Sequence, residues 1–387
     1  MSGRDAVRVY FPCTGLGRQR RGFETFTRSC AAALHGEPGL EITVFGGGGR
    51  DALRSERTVP NAPRDGVVAR TVGAVMRCDP YFVEQATFFG GFLPRLIAGR
   101  PDVVYFADLN LGNACWHWRR ISGQRYRLLF YNGGATTKPF TRCDLVQQVS
   151  PEHFDAAISR GEPAERQVLL PHGVDVAEGF SAPSAEHRAV ARRELGIAAG
   201  RPLLLSVGMI DADVKRMDYL IREVASLGAA RPHLLLVGAN SPQTPGILEL
   251  ARGLLGADGF TVRALPREQM AVAYRAADAF ALASLREGFG LAILEALASG
   301  LTCVVHDTPN TSYLCGPHAI RADLRSVGAL APCLARACVE LPDAATRRAR
   351  HTWVLNRFSW ATLRGRYAEL LRACAAGGRP AWPATAA

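Results

Sequence analysis

Two glutamates, Glu287 and Glu295, stand eight positions apart around a glycine turn. The apolar run Ala279–Ala283 precedes them, and Gly288-Phe289-Gly290 lies between them, ahead of a helical pattern that opens near Leu291. A strand, a glycine turn and a helix in this order expose backbone N–H groups and the positive end of a helix dipole, which suits a diphosphate. The carboxylates are placed to accept hydrogen bonds from sugar hydroxyls. The alternative makes Glu295 a helix-dipole residue and Glu287 a solvated loop charge.

A lysine opens another helical pattern. Lys215 comes after the apolar run Leu203–Val207 and a short loop, and Arg216 follows it. Lysine is rare in this chain, since the only other one is Lys138 and the remaining basic residues are arginines. An ammonium group is a compact point charge that suits phosphate oxygens. Lys215, helped by Arg216, is therefore predicted to contact a phosphate.

A glycine-rich loop follows the first apolar run, Val7–Phe11. Backbone without side chains lets a ligand approach closely, so Gly17 is a candidate ligand contact. The basic residues that would surround it are Arg18, Arg20 and Arg21. A flexible turn with solvated arginines is the alternative. The glycine spacing departs from GxGxxG and no acidic residue ends the second strand, which disfavours a dinucleotide site.

Polar residues after a further apolar run complete the candidates. Asp108 and Asn110 follow Asp102–Phe106, and Asp108 is placed to hydrogen-bond a substrate. The loop before Lys215 carries Asp211-Ala-Asp213, a pattern that can bind a metal but also occurs by chance in acidic loops. We predict no metal and no cofactor.

Short apolar runs alternate with helical patterns along the whole chain, which predicts parallel sheets with crossover helices. Ligands of such sheets bind beyond the carboxyl ends of the strands. The pattern breaks near residue 180 and then restarts. We therefore predict an N-terminal domain over residues 1–180, a C-terminal domain over 181–372, and a disordered tail over 375–387.

Composition limits the class of protein. The chain has 387 residues, of which 48% are apolar, and this length favours two domains because single cores stop growing near ~250–300 residues. The net charge of +11 favours anionic partners, but the arginines are spread along the chain, which argues against nucleic acid. The ten cysteines are scattered without CxxC pairs, and no apolar run reaches membrane-spanning length. We expect a cytoplasmic protein, with peripheral contact at the inner membrane face compatible with its charge.

The glutamate segment resembles the E-x7-E motif of retaining glycosyltransferases of family 4, also called glycosyl transferases group 1. The resemblance continues in three further segments: 274–284, Leu169-Leu-Pro-His-Gly-Val-Asp175 and Phe358-Ser-Trp-Ala-Thr-Leu-Arg-Gly-Arg-Tyr367. It covers the C-terminal half almost continuously and the N-terminal half in patches.

The resemblance implies the GT-B fold, two Rossmann-like βαβ domains facing each other across a cleft, with a helix at about 358–374 crossing back to the N-terminal domain. It implies a hexosyltransferase that moves a sugar from a UDP- or GDP-sugar, with retention and without metal. The acceptor would be a hydroxyl of a small natural product or of an envelope glycan or lipid. Lys215, Glu287 and Asp108 become the candidate catalytic residues. The donor-binding positions are Gly17, Gly208, Lys215, Arg216, Leu265, Glu287, Gly288, Phe289, Gly290, Leu291 and Glu295. The acceptor-binding positions are Arg18, Arg21, Asp108 and Asn110.

Two positions depart from the family pattern. Met209 occupies the place of an arginine that contacts the diphosphate, and Ala107 occupies the place of a histidine beside the reacting centre. Two alternatives therefore stay open. One is the same fold with different chemistry, as in an inverting transferase or a nucleotide-sugar epimerase, and the other is a non-catalytic nucleotide-sugar-binding protein.

Overall fold

The chain forms two compact units. The computed structural model describes residues 6–19, 22–49, 52, 55–134, 140–175, 184–198 and 200–382. The N-terminal unit comprises residues 1–173 together with 363–387, and the C-terminal unit comprises residues 174–362. The chain thus passes between units after Gly173, where the sequence pattern placed the division near residue 180. Residues 176–183, around the predicted division, lie outside the described residues.

A seven-stranded parallel sheet forms the centre of the N-terminal unit, in the order β3-β2-β1-β4-β5-β6-β7. Its strands are β1 (Val7–Cys13), β2 (Leu40–Gly46), β3 (Arg57–Thr58), β4 (Val103–Phe106), β5 (Arg127–Asn132), β6 (Leu145–Gln148) and β7 (Gln167–Leu169). Because the strands are parallel, their carboxyl ends meet at one edge and their amino ends at the other. The carboxyl edge carries the loops after β1 and β4, which were predicted to bind ligands.

Helices cover this sheet. They are α1 (Gly22–Ala33), α2 (Val67–Met76), α3 (Pro80–Gly99), α4 (Leu109–Ser122), α5 (Pro151–Ser159) and the last helix, α14 (Trp360–Ala375). From Leu363 onward α14 belongs to the N-terminal unit. The buried Tyr367 hydroxyl fixes it there, donating to the Pro171 carbonyl at 2.8 Å and accepting from Gln147 Nε2 at 2.8 Å. Residues 376–382 of the predicted disordered tail form turns, and residues 383–387 lie outside the described residues.

A six-stranded parallel sheet forms the centre of the C-terminal unit, in the order β10-β9-β8-β11-β12-β13. Its strands are β8 (Leu203–Val207), β9 (His233–Val237), β10 (Phe260–Arg263), β11 (Ala279–Leu282), β12 (Thr302–His306) and β13 (Ala319–Ala322). The helices are α6 (Ala185–Glu194), α7 (Met217–Ser226), α8 (Thr244–Leu255), α9 (Met270–Ala276), α10 (Leu291–Ala298), α11 (Pro309–Cys315), α12 (Ala331–Val339) and α13 (Ala344–Phe358).

Apolar side chains bury both faces of each sheet. In the N-terminal unit an aromatic cluster joins β1, β2 and α3, with the Phe45 and Phe92 rings 5.0 Å apart. In the C-terminal unit the strands read as continuous aliphatic runs, such as the fully buried Leu203, Leu204 and Leu205. Sheets covered by helices on both sides require such runs. The α/β fold class predicted from the sequence is confirmed.

Two further observations concern the helices and the cysteines. Among the helices of the described residues, none combines the length and apolar composition needed to cross a bilayer. The cysteines, all of which lie in the described ranges, are not joined in disulfides. Burial raises the pKa of Cys30 and Cys303 well above the usual value, which keeps both thiols protonated.

Candidate functional site

Two loops meet backbone to backbone at the carboxyl edge of the C-terminal sheet. Gly208 follows β8 and Gly238 follows β9, and their backbones are hydrogen-bonded to the neighbouring strands. A Cβ atom on Gly238 would lie 1.7 Å from the Gly208 carbonyl oxygen, closer than real atoms approach. Only glycine fits at position 238, and this contact fixes the start of the loop that carries Lys215.

A buried aspartate shapes the rest of that loop. Asp211 Oδ1 accepts hydrogen bonds from the N–H groups of Val214 at 2.7 Å and Lys215 at 2.8 Å. Asp213 lies in the same loop and accepts from Gln243 Nε2 at 2.7 Å. Both aspartates therefore organise the loop, and within the described residues no group of three or more His, Cys, Asp or Glu side chains is arranged to hold a metal ion.

The loop delivers Lys215 to Glu287. Lys215 Nζ donates to Glu287 Oε1 at 2.7 Å, and the two side chains are only 19% and 12% exposed. The lysine stem crosses Gly208, where a Cβ atom would lie 2.8 Å from Lys215 Cε. The two groups are 72 residues apart in sequence, and they form a largely buried ion pair at the carboxyl edge of β8 and β11.

A glycine turn opens α10 beside this pair. Gly290 has φ +104°, in the left-handed region, and a Cβ atom there would lie 3.0 Å from Leu314 Cδ1. Asn310 holds the turn by donating to the Phe289 carbonyl at 2.9 Å. Within the described part of the chain, the N–H groups of Leu291 and Ala292 have no acceptor. They form a helix start able to bind an anion.

Glu295, the second of the two glutamates, forms hydrogen bonds within the protein. Glu295 is buried in α10 and accepts a hydrogen bond from the Tyr274 hydroxyl at 2.8 Å, while its other oxygen pairs with Arg267. Burial, and then the adjacent Glu295 charge, raise the pKa of Tyr274 well above 10. Burial alone would lower the pKa of Arg267, but the Glu295 carboxylate outweighs it and the pKa is raised. The three side chains form one charge-assisted network.

Arg216 and Leu265, two further predicted donor positions, and Met209 lie in loops of the same unit. Arg216 opens α7 and donates to the backbone carbonyls of Ala283 at 3.3 Å and Leu324 at 2.7 Å, so it ties two loops together. Met209, in the place of the family arginine, is 47% exposed. Leu265 is half-buried in the loop after β10, two residues before Arg267.

In the N-terminal unit Asp108 is buried at the carboxyl edge. Its Oδ2 accepts from both the amide and the hydroxyl of Thr14, at 3.0 Å and 2.8 Å, and its Oδ1 accepts from the Tyr81 hydroxyl. The carboxylate therefore joins three elements: the loop after β1, the first turn of α3, and the start of α4. Its observed contacts are those of a positioning residue.

The glycine-rich loop packs against the loop after β2. Gly17 has φ +89°, and a Cβ atom there would lie 2.9 Å from the Gly48 carbonyl. Arg18 Nη1 donates to Asn61 Oδ1 at 2.6 Å, and the Asn110 N–H donates to Gln85 Oε1 at 3.1 Å. Arg20 and Arg21 lie outside the described residues.

The structure thus brings Lys215, Glu287 and the start of α10 together, and it places Glu295 in a separate network on the same helix. Sequence reasoning did not select Arg267 or Tyr274 for a role in the site. Tyr274 stood in a segment quoted for the family resemblance, and Arg267 stood two residues after Leu265, so only these weak signals were available.

Comparison with known proteins gives a family match within the C-terminal unit. Residues 201–339 match the family model described as "Glycosyl transferases group 1". The match includes β8 to β13 and both Lys215 and Glu287. The resemblance to group 1 glycosyltransferases predicted from the sequence is therefore confirmed for this segment.

Curated relatives match part of the chain. D-inositol 3-phosphate glycosyltransferase of Nocardia farcinica is 38% identical over 134 residues, which is 32% of this chain and 30% of that protein. Alpha-monoglucosyldiacylglycerol synthase of Streptococcus pneumoniae is 30% identical over 179 residues, which is 45% of this chain and 40% of that protein. This chain thus matches well under two thirds of the length of either relative.

Solved structures match almost the whole chain. Sucrose-phosphate synthase from Thermosynechococcus elongatus superposes with a TM-score of 0.75 at 20% identity, over 95% of this chain and 98% of that one. HepE of Anabaena, in complex with UDP and glucose, superposes with a TM-score of 0.73 at 16% identity, over 95% and 99%. At this identity the likeness establishes the fold, which is GT-B.

Proposed function

We propose that this protein is a nucleotide-sugar-dependent glycosyltransferase whose C-terminal unit binds the donor. The observation that carries the proposal is the Lys215–Glu287 pair, 2.7 Å apart beside the free N–H groups that open α10. The site combines three groups: the Lys215 ammonium and the N–H groups at the start of α10, which suit phosphate, and the Glu287 carboxylate, which can accept from sugar hydroxyls. The match to group 1 glycosyl transferases supports the same class of reaction.

The chemistry requires stabilisation of a leaving group. In the proposed step the bond between the sugar C1 and the diphosphate oxygen breaks as the acceptor hydroxyl oxygen bonds to C1 from the same face. The acceptor proton passes to the departing diphosphate. Negative charge grows on that diphosphate, and fixed positive groups aimed at it lower the barrier. Lys215 and the N–H groups of Leu291 and Ala292 supply such charge.

Donor binding rearranges the observed ion pair. Without a donor, Lys215 and Glu287 neutralise each other in a place where few water molecules reach them. We propose that the diphosphate replaces Glu287 as the partner of Lys215, and that Glu287 then accepts from the sugar hydroxyls. No metal is assigned to the step, because Asp211 Oδ1 and Asp213 Oδ2 accept hydrogen bonds from the protein.

A donor screen tests this function. Calorimetry with UDP- and GDP-sugars should detect binding of one donor, and NMR of the product should show the anomeric configuration of the donor retained. Inversion at C1, or conversion of one free nucleotide sugar into another, would favour the inverting or epimerase alternative. Donor binding without transfer or hydrolysis would favour the non-catalytic alternative.

On the acceptor side we propose a lipid-linked hydroxyl, bound through the N-terminal unit. The outer face of α2 exposes four large apolar side chains: Val67 at 81%, Val68 at 62%, Val75 at 79% and Met76 at 66%. Two exposed arginines, Arg70 and Arg77, flank them. An apolar face rimmed by arginines suits the interface of an anionic bilayer. Arg18, Arg21, Asp108 and Asn110 remain the candidates on the acceptor side.

This face should bind vesicles. We expect the protein to sediment with vesicles rich in phosphatidylglycerol. The Val67→Glu, Val75→Glu variant should bind about tenfold more weakly, because two apolar side chains that would enter the membrane interface are lost. Val327→Glu is the control, since Val327 is 88% exposed in the C-terminal unit. Equal binding of both variants would contradict the assignment of α2.

The methionine that replaces the family arginine offers a gain-of-function test. Met209→Arg should lower the Kd for the donor nucleotide by about tenfold, because a second cation would reach the diphosphate from the same loop as Lys215. Calorimetric titration with UDP and GDP measures the change. Met209→Gln controls for polarity without charge, and an unchanged Kd in the arginine variant would place the diphosphate away from this loop.

A further inference from the structure

A cavity of about 510 Å³ lies in the N-terminal unit, at the amino ends of β5, β6 and β7. Five parts of the chain form its wall: the second half of α4, the start of β5, the segment entering β6, the segment entering β7, and the end of α14 with the turn after it. Asp108 and Thr14 lie at the opposite, carboxyl edge of the same sheet. The cavity is therefore separate from the residues proposed for transfer in this unit.

Arginines dominate the lining. The charged residues that line the cavity are Arg119, Arg127, Arg142, Arg166, Arg379, Asp144 and Glu165. Five guanidinium groups thus face two carboxylates, which leaves an excess of three positive charges. Like charges brought together repel, and the repulsion is relieved when an anion binds among them.

The inner arginines are held in place. Asp144 accepts from Arg119 Nη1 at 2.5 Å, from Arg127 Nη1 at 3.3 Å and from the Leu128 N–H at 2.7 Å. The Arg127 guanidinium packs on Gly377, where a Cβ atom would lie 2.4 Å from its Nη2 and where φ is +76°. One carboxylate thus orients two guanidinium groups and leaves them with a net positive charge.

The outer arginines have no carboxylate partner in the described part of the chain. Arg142 lies over the Trp116 ring at 4.8 Å and donates to Asn113 Oδ1 at 3.3 Å, and Arg166 donates to the Thr141 carbonyl at 3.2 Å. Arg379 follows the turn after α14 and forms no ion pair with any described residue. These three exposed guanidinium groups keep most of their donors available to a ligand.

The thiols in the lining do not offset this charge. Burial raises the pKa of Cys143 to about 12, and burial also raises the pKa of Cys374 to about 12. Both sulfurs are therefore protonated at neutral pH and add no negative charge, which leaves the guanidinium groups to decide which ligand binds.

We propose that this cavity, the arginine pocket, binds a small phosphorylated metabolite, such as a sugar phosphate or a nucleotide. Guanidinium groups match phosphate in a planar, bidentate geometry, and several of them around one cavity select a dianionic group over a monoanion. The volume falls within the range of small-molecule sites and exceeds what a phosphate group alone would fill. The site does not depend on the proposed transfer reaction.

Calorimetry with the full-length protein tests the pocket. The probes are inorganic pyrophosphate, glucose 6-phosphate and AMP, titrated at about 150 mM salt to suppress non-specific attraction. The Lys215→Met background removes the phosphate contact in the C-terminal unit. In that background we expect at least one probe to bind, and Arg142→Ala, Arg166→Ala to weaken it about tenfold or more.

A matched control separates the pocket from general charge. Arg222→Ala, Arg252→Ala removes the same charge from exposed positions on α7 and α8 and should leave probe binding unchanged. Equal loss in both double variants, or no binding of any probe in the Lys215→Met background, would overturn the proposal. Binding of anionic vesicles or RNA with no binding of the small probes would also overturn it. Melting curves of all variants exclude loss by unfolding, and Arg379→Ala alone provides a milder second variant.

Discussion

Replacing Lys215 with methionine should lower kcat/KM for sugar transfer by about 10²- to 10³-fold. The Lys215 ammonium group is held against Glu287, in the loop before α10, where the diphosphate is proposed to bind. Loss of a single preorganised donor to a developing negative charge costs this much. Methionine keeps the length and packing of the stem over Gly208, so the change isolates the charge. Steady-state kinetics with the donor found in the screen measures the effect.

Two further variants test whether the loss of activity comes from the charge of Lys215. Lys215→Arg restores a positive charge with different geometry and should recover part of the rate, while Arg222→Met removes an exposed charge from the following helix and should change nothing. Because Lys215 and Glu287 are in contact, their effects should not add in the double variant Lys215→Met, Glu287→Gln. An unchanged rate in Lys215→Met would remove the basis of the proposed function.

Strand positions of the C-terminal unit were predictable because their residues are buried on both faces. The predicted strand Leu203–Val207 agrees with β8 at both ends. The run is aliphatic except for Ser206, and the proline before it and the glycine after it mark where the strand begins and ends. The edge strands β3 and β13 were not predicted. β3 is the exposed pair Arg57–Thr58, and β13 is only partly buried, so neither shows an apolar pattern.

Tertiary packing explains what sequence periodicity missed in the N-terminal unit. No helix was predicted for residues 61–91, yet this segment contains α2 and much of α3. Pro94 and two adjacent glycines lie within α3 and weaken any helical prediction. The helix forms because Phe88 and Phe92 are completely buried against the sheet, and this burial outweighs the local preference.

Side-chain partners were the least predictable part of the site. Asp108 binds Thr14, which is 94 residues away, and Glu295 binds Arg267, which is 28 residues away. Neither spacing follows a helical or strand repeat, so the sequence showed the carboxylates without showing what satisfies them. Lys215 and Glu287 were assigned to one donor site but not to each other, and they meet because both follow neighbouring strands of one sheet.

The Glu295 network should be the main polar contribution to the stability of the C-terminal unit. Glu295→Ala removes the acceptor of the buried Tyr274 hydroxyl and the counter-charge of Arg267, and should lower the free energy of unfolding by about 2–3 kcal/mol. The Arg267 side chain is 43% exposed, which keeps the loss below that of a fully buried pair. Urea unfolding of the full-length protein, followed by circular dichroism, measures it.

Variants that remove one partner show how much each interaction of Glu295 contributes to the free energy of unfolding. Tyr274→Phe deletes one hydrogen bond and should cost about 1 kcal/mol, because Glu295 keeps its arginine. Glu249→Ala, on the exposed face of α8, is the matched control and should cost nothing measurable. If Glu295→Ala were as stable as that control and only donor affinity fell, then the carboxylate would act on the bound sugar nucleotide rather than on the fold. Because both of its oxygens already have protein partners, we expect stability to fall first, and donor affinity to fall only as far as the start of α10 is disturbed.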